Sequence, residues 1–422
     1  MRPPRRPVEA PVVAELAIEQ VGAQGDGVAQ GPVYVPFTLP GEQVRASVRG
    51  ARGELLELVA ASPARVQPPC PHFGRCGGCA LQHWAPGPYL AWKGELIAAA
   101  LARERIETSI LPAFAAPPAS RRRLALHARP GRPGAARLGY KGRGSWTLVD
   151  IEVCPIADPR LQAAFPVLAR LAAPLLEHPR SAPTLHVTLT EAGIDVDVSG
   201  VERRTGGLSA DARMRAAEAA AQAGFARVTL AGEVLYQSRQ PMVRIGRAAV
   251  DLPPGGFLQA VPAAEAAMAA FAGEALQGAA RIADLYCGVG AFSLRLAETA
   301  QVLAVDGSAE AVAALAAAAG RTPGLKPVRV EARDLDRRPV LATELNRLDA
   351  AVFDPPRAGA AAQAGELARS KLSAVVAVSC NPATFARDAR TLVDAGFRLE
   401  QVLPVDQFLW SPHVELVGVF RR

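Results

Sequence analysis

The chain has 422 residues, half of them hydrophobic, with 47 Lys and Arg against 40 Asp and Glu. That length exceeds one ordinary core and predicts two to four domains, while the absence of an uncharged apolar run of 18 residues argues against a membrane span. The positive excess is confined to the first third: residues 1–150 hold 19 Lys and Arg against 11 Asp and Glu, and the remainder holds 28 against 29. Such an asymmetry fits a segment that touches a phosphate backbone, and equally a solvated basic surface.

The start, MRPPRRPVEAP, is basic with no apolar segment behind it. Residues 1–7 are expected to be a flexible basic tail and the protein to be cytoplasmic. Residues 8–62 alternate short apolar runs with turn signals, Gly25-Asp26-Gly27 and Pro40-Gly41 among them. Four or five short strands in that space predict a small β-barrel of the OB type. A central α+β region is expected over 63–255. It contains a helix in GPYLAWKGELIAAALARERI, strands over 121–160, a hairpin in LHVTLTEAGIDVDVSG and a helix in DARMRAAEAAAQAG.

From 256 to 422, apolar strands (ARIADLY, AQVLAVD, LDAAVFD, LSAVVAVSC) alternate with Ala-rich helices. This texture predicts an α/β Rossmann-like, doubly wound sheet whose site lies at the strand C-terminal ends. Gly288 and Gly290, in DLYCGVGAF, follow the first of these strands and open a helix, a turn that lets backbone N–H groups approach a ligand. Asp306 ends the next strand, where a carboxylate accepts hydrogen bonds from ribose hydroxyls. The loop lacks the longer G-x-G-x-x-G fingerprint, which favours a methyl donor over a dinucleotide. Asp334 and Asp354 follow later strands. Each alone could be a helix cap or a turn former, but their ordered placement argues for one pocket.

Cys380, in VSCNPATFARD, falls just past a buried strand and before a helix. Proximity to a helix N-terminus should lower its thiol pKa. A thiolate adding to C6 of a pyrimidine makes C5 nucleophilic toward a methylsulfonium, and a base must then remove the C5 proton. Glu415, in SPHVELVGVF, is the candidate base, with a surface carboxylate as the alternative reading. Cys70, Cys76 and Cys79 have the spacing C-x5-C-x2-C, and Cys154 lies 75 positions on. Four thiolates suit tetrahedral zinc or an iron–sulfur cluster, and the spacing alone favours zinc. Cys287 reads as a small packing residue.

Taken in order, DLYCGVGAF, DPPRAG, VSCNPATFARD and SPHVE, with CPHFGRCGGC upstream, resemble the RNA 5-methyluridine methyltransferase family, the 23S rRNA (uracil-5-)-methyltransferases and their tRNA relatives. The resemblance spans nearly the full chain and implies an N-terminal TRAM-like barrel. It also implies that Cys380 is the nucleophile, that Glu415 is the base, and that Gln259, Tyr286, Asp306, Asp334 and Asp354 line an S-adenosylmethionine site, with Arg357 beside it. It replaces zinc by a 4Fe–4S cluster on Cys70, Cys76, Cys79 and Cys154. Two departures concern the cofactor pocket: Ala291 and Val261 stand where the family often has Asn. The implied partner is RNA, rRNA ahead of tRNA, with no membrane, no protein partner and a monomeric chain. The competing readings are a tRNA 5-methyluridine enzyme, an RNA 5-methylcytosine enzyme, an amino methyltransferase with a related D-P-P motif, and a non-catalytic RNA-binding factor.

Overall fold

A computed structural model describes residues 10–201 and 207–422; the expected tail at 1–7 lies outside the described residues. Five strands (Val12–Val21, Asp26–Ala29, Val33–Pro36, Gln43–Arg49 and Arg52–Ala60) close into a barrel. Alternate inward positions, Ile18, Ala29, Val35, Val44 and Ala46, fill its core, as a period of two requires. Side-chain contacts tie the barrel to the rest of the chain. The Trp92 indole N–H donates to the Val21 carbonyl at 3.0 Å, and the Arg143 guanidinium pairs with the buried Asp26 carboxylate.

A seven-stranded sheet follows, in the order Leu148–Asp150, Arg137–Lys141, Arg123–Arg129, Thr184–Thr190, Gly193–Ser199, Arg227–Leu230 and Glu233–Gln237. The hairpin read from LHVTLTEAGIDVDVSG is its Thr184–Thr190/Gly193–Ser199 pair. The helix Ala210–Gln222 covers one face, capped by the Ser209 hydroxyl.

The C-terminal sheet runs in the order Val328–Ala332, Gln301–Asp306, Arg281–Leu285, Ala350–Phe353, Ala374–Ser379, Glu415–Arg421, Arg398–Asp406 and Ser109–Ile110. Its first five strands are parallel. Ala350–Phe353 and Ala374–Ser379 are buried at every position, the pattern of strands covered on both faces. Met268 and Leu315, from the helices Pro262–Ala275 and Ala309–Arg321, pack on one face. Ile97, Leu367 and Phe385, from Pro86–Arg103, Ala361–Arg369 and Pro382–Asp394, pack on the other. Each such buried side chain contributes about 1.5–3 kcal/mol. The helix Pro86–Arg103 and the short strand Ser109–Ile110 thus belong to this core, although they precede the central sheet in sequence. The last two long strands are antiparallel, a reversal that carries the C-terminus back beside Ala374–Ser379. Among the described residues no helix is long and apolar enough to cross a membrane.

Candidate active site

A cavity of about 800 Å³ opens at the C-terminal ends of the parallel strands. The strand Arg281–Leu285 runs into Tyr286, whose φ of 61° lies in the left-handed region that non-glycine residues seldom occupy. Gly288 and Gly290 continue the turn at φ 54° and 101°. They do different work. A Cβ on Gly288 would meet nothing within 4 Å, so its backbone is open to the cavity it lines. A Cβ on Gly290 would come within 2.5 Å of Leu315 Cδ1. Gly290 therefore lets the loop pack on the helix Ala309–Arg321.

Acids surround this loop. Asp284 lies beneath it, fully buried, with Ser293 donating to Oδ2 and no hydrogen bond at Oδ1; burial pushes its carboxyl up to about 7. Asp306 receives the Gly288 N–H at 2.9 Å and the Ser308 N–H at 2.8 Å, fixing its carboxylate at the cavity wall. Asp334 also lines the cavity, while its Oδ1 accepts the N–H groups of Asp336 and Arg337. The turn-forming reading and the pocket reading thus coexist there. Asp336, which the sequence did not single out, lines the cavity and accepts the Tyr286 hydroxyl at 3.1 Å. Of the two departures, Ala291 lines the cavity and Val261 is buried in the core.

Cys380 and Glu415 line the same cavity as the glycine loop. Cys380 follows the strand Ala374–Ser379 and precedes a helix capped by Asn381, whose side chain accepts the Ala383 N–H. Its thiol is not lowered. Burial, and then the charges of Glu415 and Asp354, push it up to about 11 against the opposing pull of Arg357. Glu415 is 3 % exposed, so the surface-carboxylate reading does not hold. Burial and the Asp354 charge raise it, and burial raises Asp354.

Two amides join these carboxylates. Gln259 Nε2 donates to Asp354 Oδ2 at 2.9 Å, and Gln259 Oε1 accepts from Gln407 Nε2 at 2.8 Å. Gln407 Nε2 also donates to Glu415 Oε2 at 2.6 Å, while Gln407 Oε1 accepts the Ala260 N–H at 3.1 Å. Sequence reasoning identified Gln259 but missed Gln407; a lone glutamine after a strand gives no local signal.

Arg122 and Arg123 anchor the GGFLQ segment, Arg123 donating to the Leu258 carbonyl at 2.8 Å. Arg122 is buried, pairing with Glu265 at 2.6 Å and donating to the Gln259 carbonyl at 3.0 Å, so it is unavailable to nucleic acid. The Arg123 and Arg121 guanidinium groups lie 5.2 and 5.9 Å from the ring centroids of Phe257 and Phe408. Both rings line the cavity, and Phe257 is 67 % exposed.

A second cavity, of about 240 Å³, is lined by Cys70, Cys76, Cys79 and Cys154 together with His72 and Tyr140. All four thiols are free. Burial pushes Cys79 up to about 12, with the charges of the other three adding to it. Cys76 and Cys154 are raised by the same two causes. Mutual repulsion of this kind is what a cationic centre among the sulfurs would relieve, and the buried, unpartnered His72 Nδ1 marks the same wall. Among the described residues, no three His, Cys, Asp or Glu side chains converge as a ready-made site for a single ion. The sixth cysteine, Cys287, is part of the glycine loop itself, buried in the core beneath the larger cavity that it helps to line.

A doubly wound sheet with a glycine loop and an acidic cavity at its strand ends defines a methyltransferase of the S-adenosylmethionine-dependent class. Residues 246–422 match the family model described as tRNA (Uracil-5-)-methyltransferase. The chain is 65 % identical to an uncharacterized RNA methyltransferase of Caulobacter vibrioides, over 97 % of this chain and 100 % of that protein. It is 34 % identical to the 23S rRNA (uracil(1939)-C(5))-methyltransferase RlmD of Chromohalobacter salexigens, over 96 % of this chain and 89 % of that one. In fold it resembles the Pyrococcus abyssi tRNA (uracil-54, C5)-methyltransferase solved with S-adenosyl-L-homocysteine. The TM-score is 0.69 at 23 % identity, covering 96 % of this chain and 100 % of that one. The chain belongs to the RNA (uracil-5-)-methyltransferase family and is an S-adenosylmethionine-dependent enzyme.

Proposed function

We propose that this enzyme methylates C5 of a uridine in 23S rRNA, with Cys380 as nucleophile and Glu415 as base. The observation that carries the reading is the convergence of Cys380, Glu415 and the glycine loop on one cavity. S-adenosylmethionine supplies the electrophilic methyl group; Tyr286, Gly288, Asp306, Asp334 and Asp354 hold it, with Gln259 at the boundary between cofactor and base. The Cys380 thiol, raised in the free protein, loses its proton to solvent, the thiolate Sγ forms a bond to C6 of the uracil, and the C5–C6 electron pair moves so that the ring becomes enolate-like with density at C5. After methyl transfer, Glu415 takes the C5 proton. The C6–Sγ bond then breaks, and the thiolate leaves. The uridine must leave its stack to reach Cys380, so a loop or single-stranded site is expected, with Phe257 and Phe408 offering rings at the cavity wall.

Cys70, Cys76, Cys79 and Cys154 are assigned to a 4Fe–4S cluster, which would clip the loop after the barrel to the central sheet. The choice of 23S rRNA follows the relative from Chromohalobacter; a tRNA target is the second reading, favoured by the description of the matching family model. Deleting the gene and analysing nucleosides from separated rRNA and tRNA tests the choice. Loss of 5-methyluridine from 23S rRNA alone is expected, and loss from tRNA alone would overturn it.

A further inference from the structure

Lys93 and Asp406 are both fully buried, with Lys93 Nζ 2.9 Å from Asp406 Oδ1. Neither Asp406 oxygen has a hydrogen bond of good geometry; the charge of Lys93 and the neighbouring Tyr89 hydroxyl face it. The same ammonium donates to the His413 carbonyl. These two contacts fall at opposite ends of one loop. Asp406 ends the strand Arg398–Asp406, and His413 stands two residues before Glu415, which opens the last strand. Gln407, which holds the Glu415 carboxylate, is the residue next to Asp406.

The middle of the loop is held from the same side. Tyr89, one turn before Lys93 on the helix Pro86–Arg103, accepts the Trp410 N–H at 2.8 Å. Trp410 is in the left-handed region at φ 59°, a conformation that persists only where surroundings impose it. Its carbonyl accepts the N–H groups of Ala80 and Leu81 at 2.8 and 3.0 Å, immediately after Cys79.

We propose that the Lys93–Asp406 pair positions Glu415 for removal of the C5 proton by tying together the two ends of the 407–414 loop. Stability is a poor reason for such a pair, since well-packed apolar replacements of buried ion pairs are often neutral or stabilising. Orientation is the better one: a catalytic group misplaced by about 1 Å loses roughly a hundred-fold in rate. Lys93 and Asp406 are positioning residues, and the inference rests on Glu415 being the base.

The test compares Lys93→Met, Asp406→Asn and the double variant Lys93→Met/Asp406→Leu with Glu415→Gln. Each is given methyl-labelled S-adenosylmethionine and RNA that lacks the modification. Glu415→Gln should trap methylated RNA on the protein in a denaturant-resistant adduct. The double variant should melt near the wild-type temperature and bind the cofactor and RNA with unchanged affinity, yet release product about a hundred-fold more slowly and accumulate the same adduct. The single variants should combine that defect with a lower melting temperature, Asp406→Asn the less severely. Normal release by the double variant would reduce the pair to a structural element. An adduct in Glu415→Gln with none in any pair variant would overturn this inference alone; no adduct in Glu415→Gln would remove the base assignment, and this inference with it.

Discussion

Cys380 stands opposite Glu415 one step beyond the last paired rung of the strands that carry them, Ser379 against Leu416. Directly opposed residues of antiparallel strands project to the same face, so the reversal of the final strand is what sets a carboxylate beside the thiol. A parallel strand there would have presented its C-terminal end to the cavity instead.

That juxtaposition governs pH dependence. Burial and the Asp354 charge hold Glu415 above the ordinary carboxylate value of about 4.3, so it is protonated, and unable to accept a proton, at pH values where an exposed glutamate is ionised. Cys380 is raised to about 11 and also reacts only when deprotonated. Both requirements have the same sign. The kcat/KM for RNA should therefore climb as pH rises through about 8 and keep climbing toward about 11, and residual adduct formation by Glu415→Gln should keep only the thiol's part of that rise. A flat profile measured by methyl transfer under single-turnover conditions would contradict this.

The two glycines of the cofactor loop should respond differently. Gly290→Ala drives a methyl group to 2.5 Å from Leu315 at φ 101°, combining overpacking of about 1–3 kcal/mol with backbone strain of about 1–2 kcal/mol. Its melting temperature should drop clearly. Gly288→Ala meets no atom and bears the strain alone, so it should be milder in stability but weaken cofactor binding, because the added group enters the cavity. Calorimetric melting and cofactor titration of both variants separate the two effects, and equal behaviour would refute the assignment.

At the second cavity, protein purified without oxygen should be brown, with about four irons and four sulfides per chain. Cys154→Ser should lose the colour, since Cys154 comes from a segment far along the chain yet lines the cavity with the other three. Colourless anaerobic protein with one zinc per chain would favour the reading from cysteine spacing.

Much of this was legible in the sequence because its signals are local. Strand runs such as AVVAVS identify buried strands by composition, and the glycine loop, Asp306 and Cys380 each follow one directly. What escaped depends on contacts across long separations. Gln407 matters only because folding brings it to Gln259 and Glu415, and Lys93 only because it meets a loop more than 300 positions away. Arg122 illustrates the converse: the basic excess of the first third fits a segment that touches a phosphate backbone, but a buried Glu265 claims this residue. The thiol of Cys380 was misjudged because a helix N-terminus is visible in sequence, whereas the burial that raises the thiol and the two carboxylates that add to it are not.

The central claim is a covalent Cys380–uracil intermediate resolved by proton removal from C5. RNA substituted with 5-fluorouridine tests it most directly, because fluorine at C5 leaves no proton for Glu415 to take. Incubation with S-adenosylmethionine should yield a one-to-one adduct that survives denaturation. Mass spectrometry of its peptides should place methylated fluorouridine on Cys380, and Cys380→Ala should yield none. An adduct on another residue, or none from protein that methylates ordinary RNA, would contradict the account.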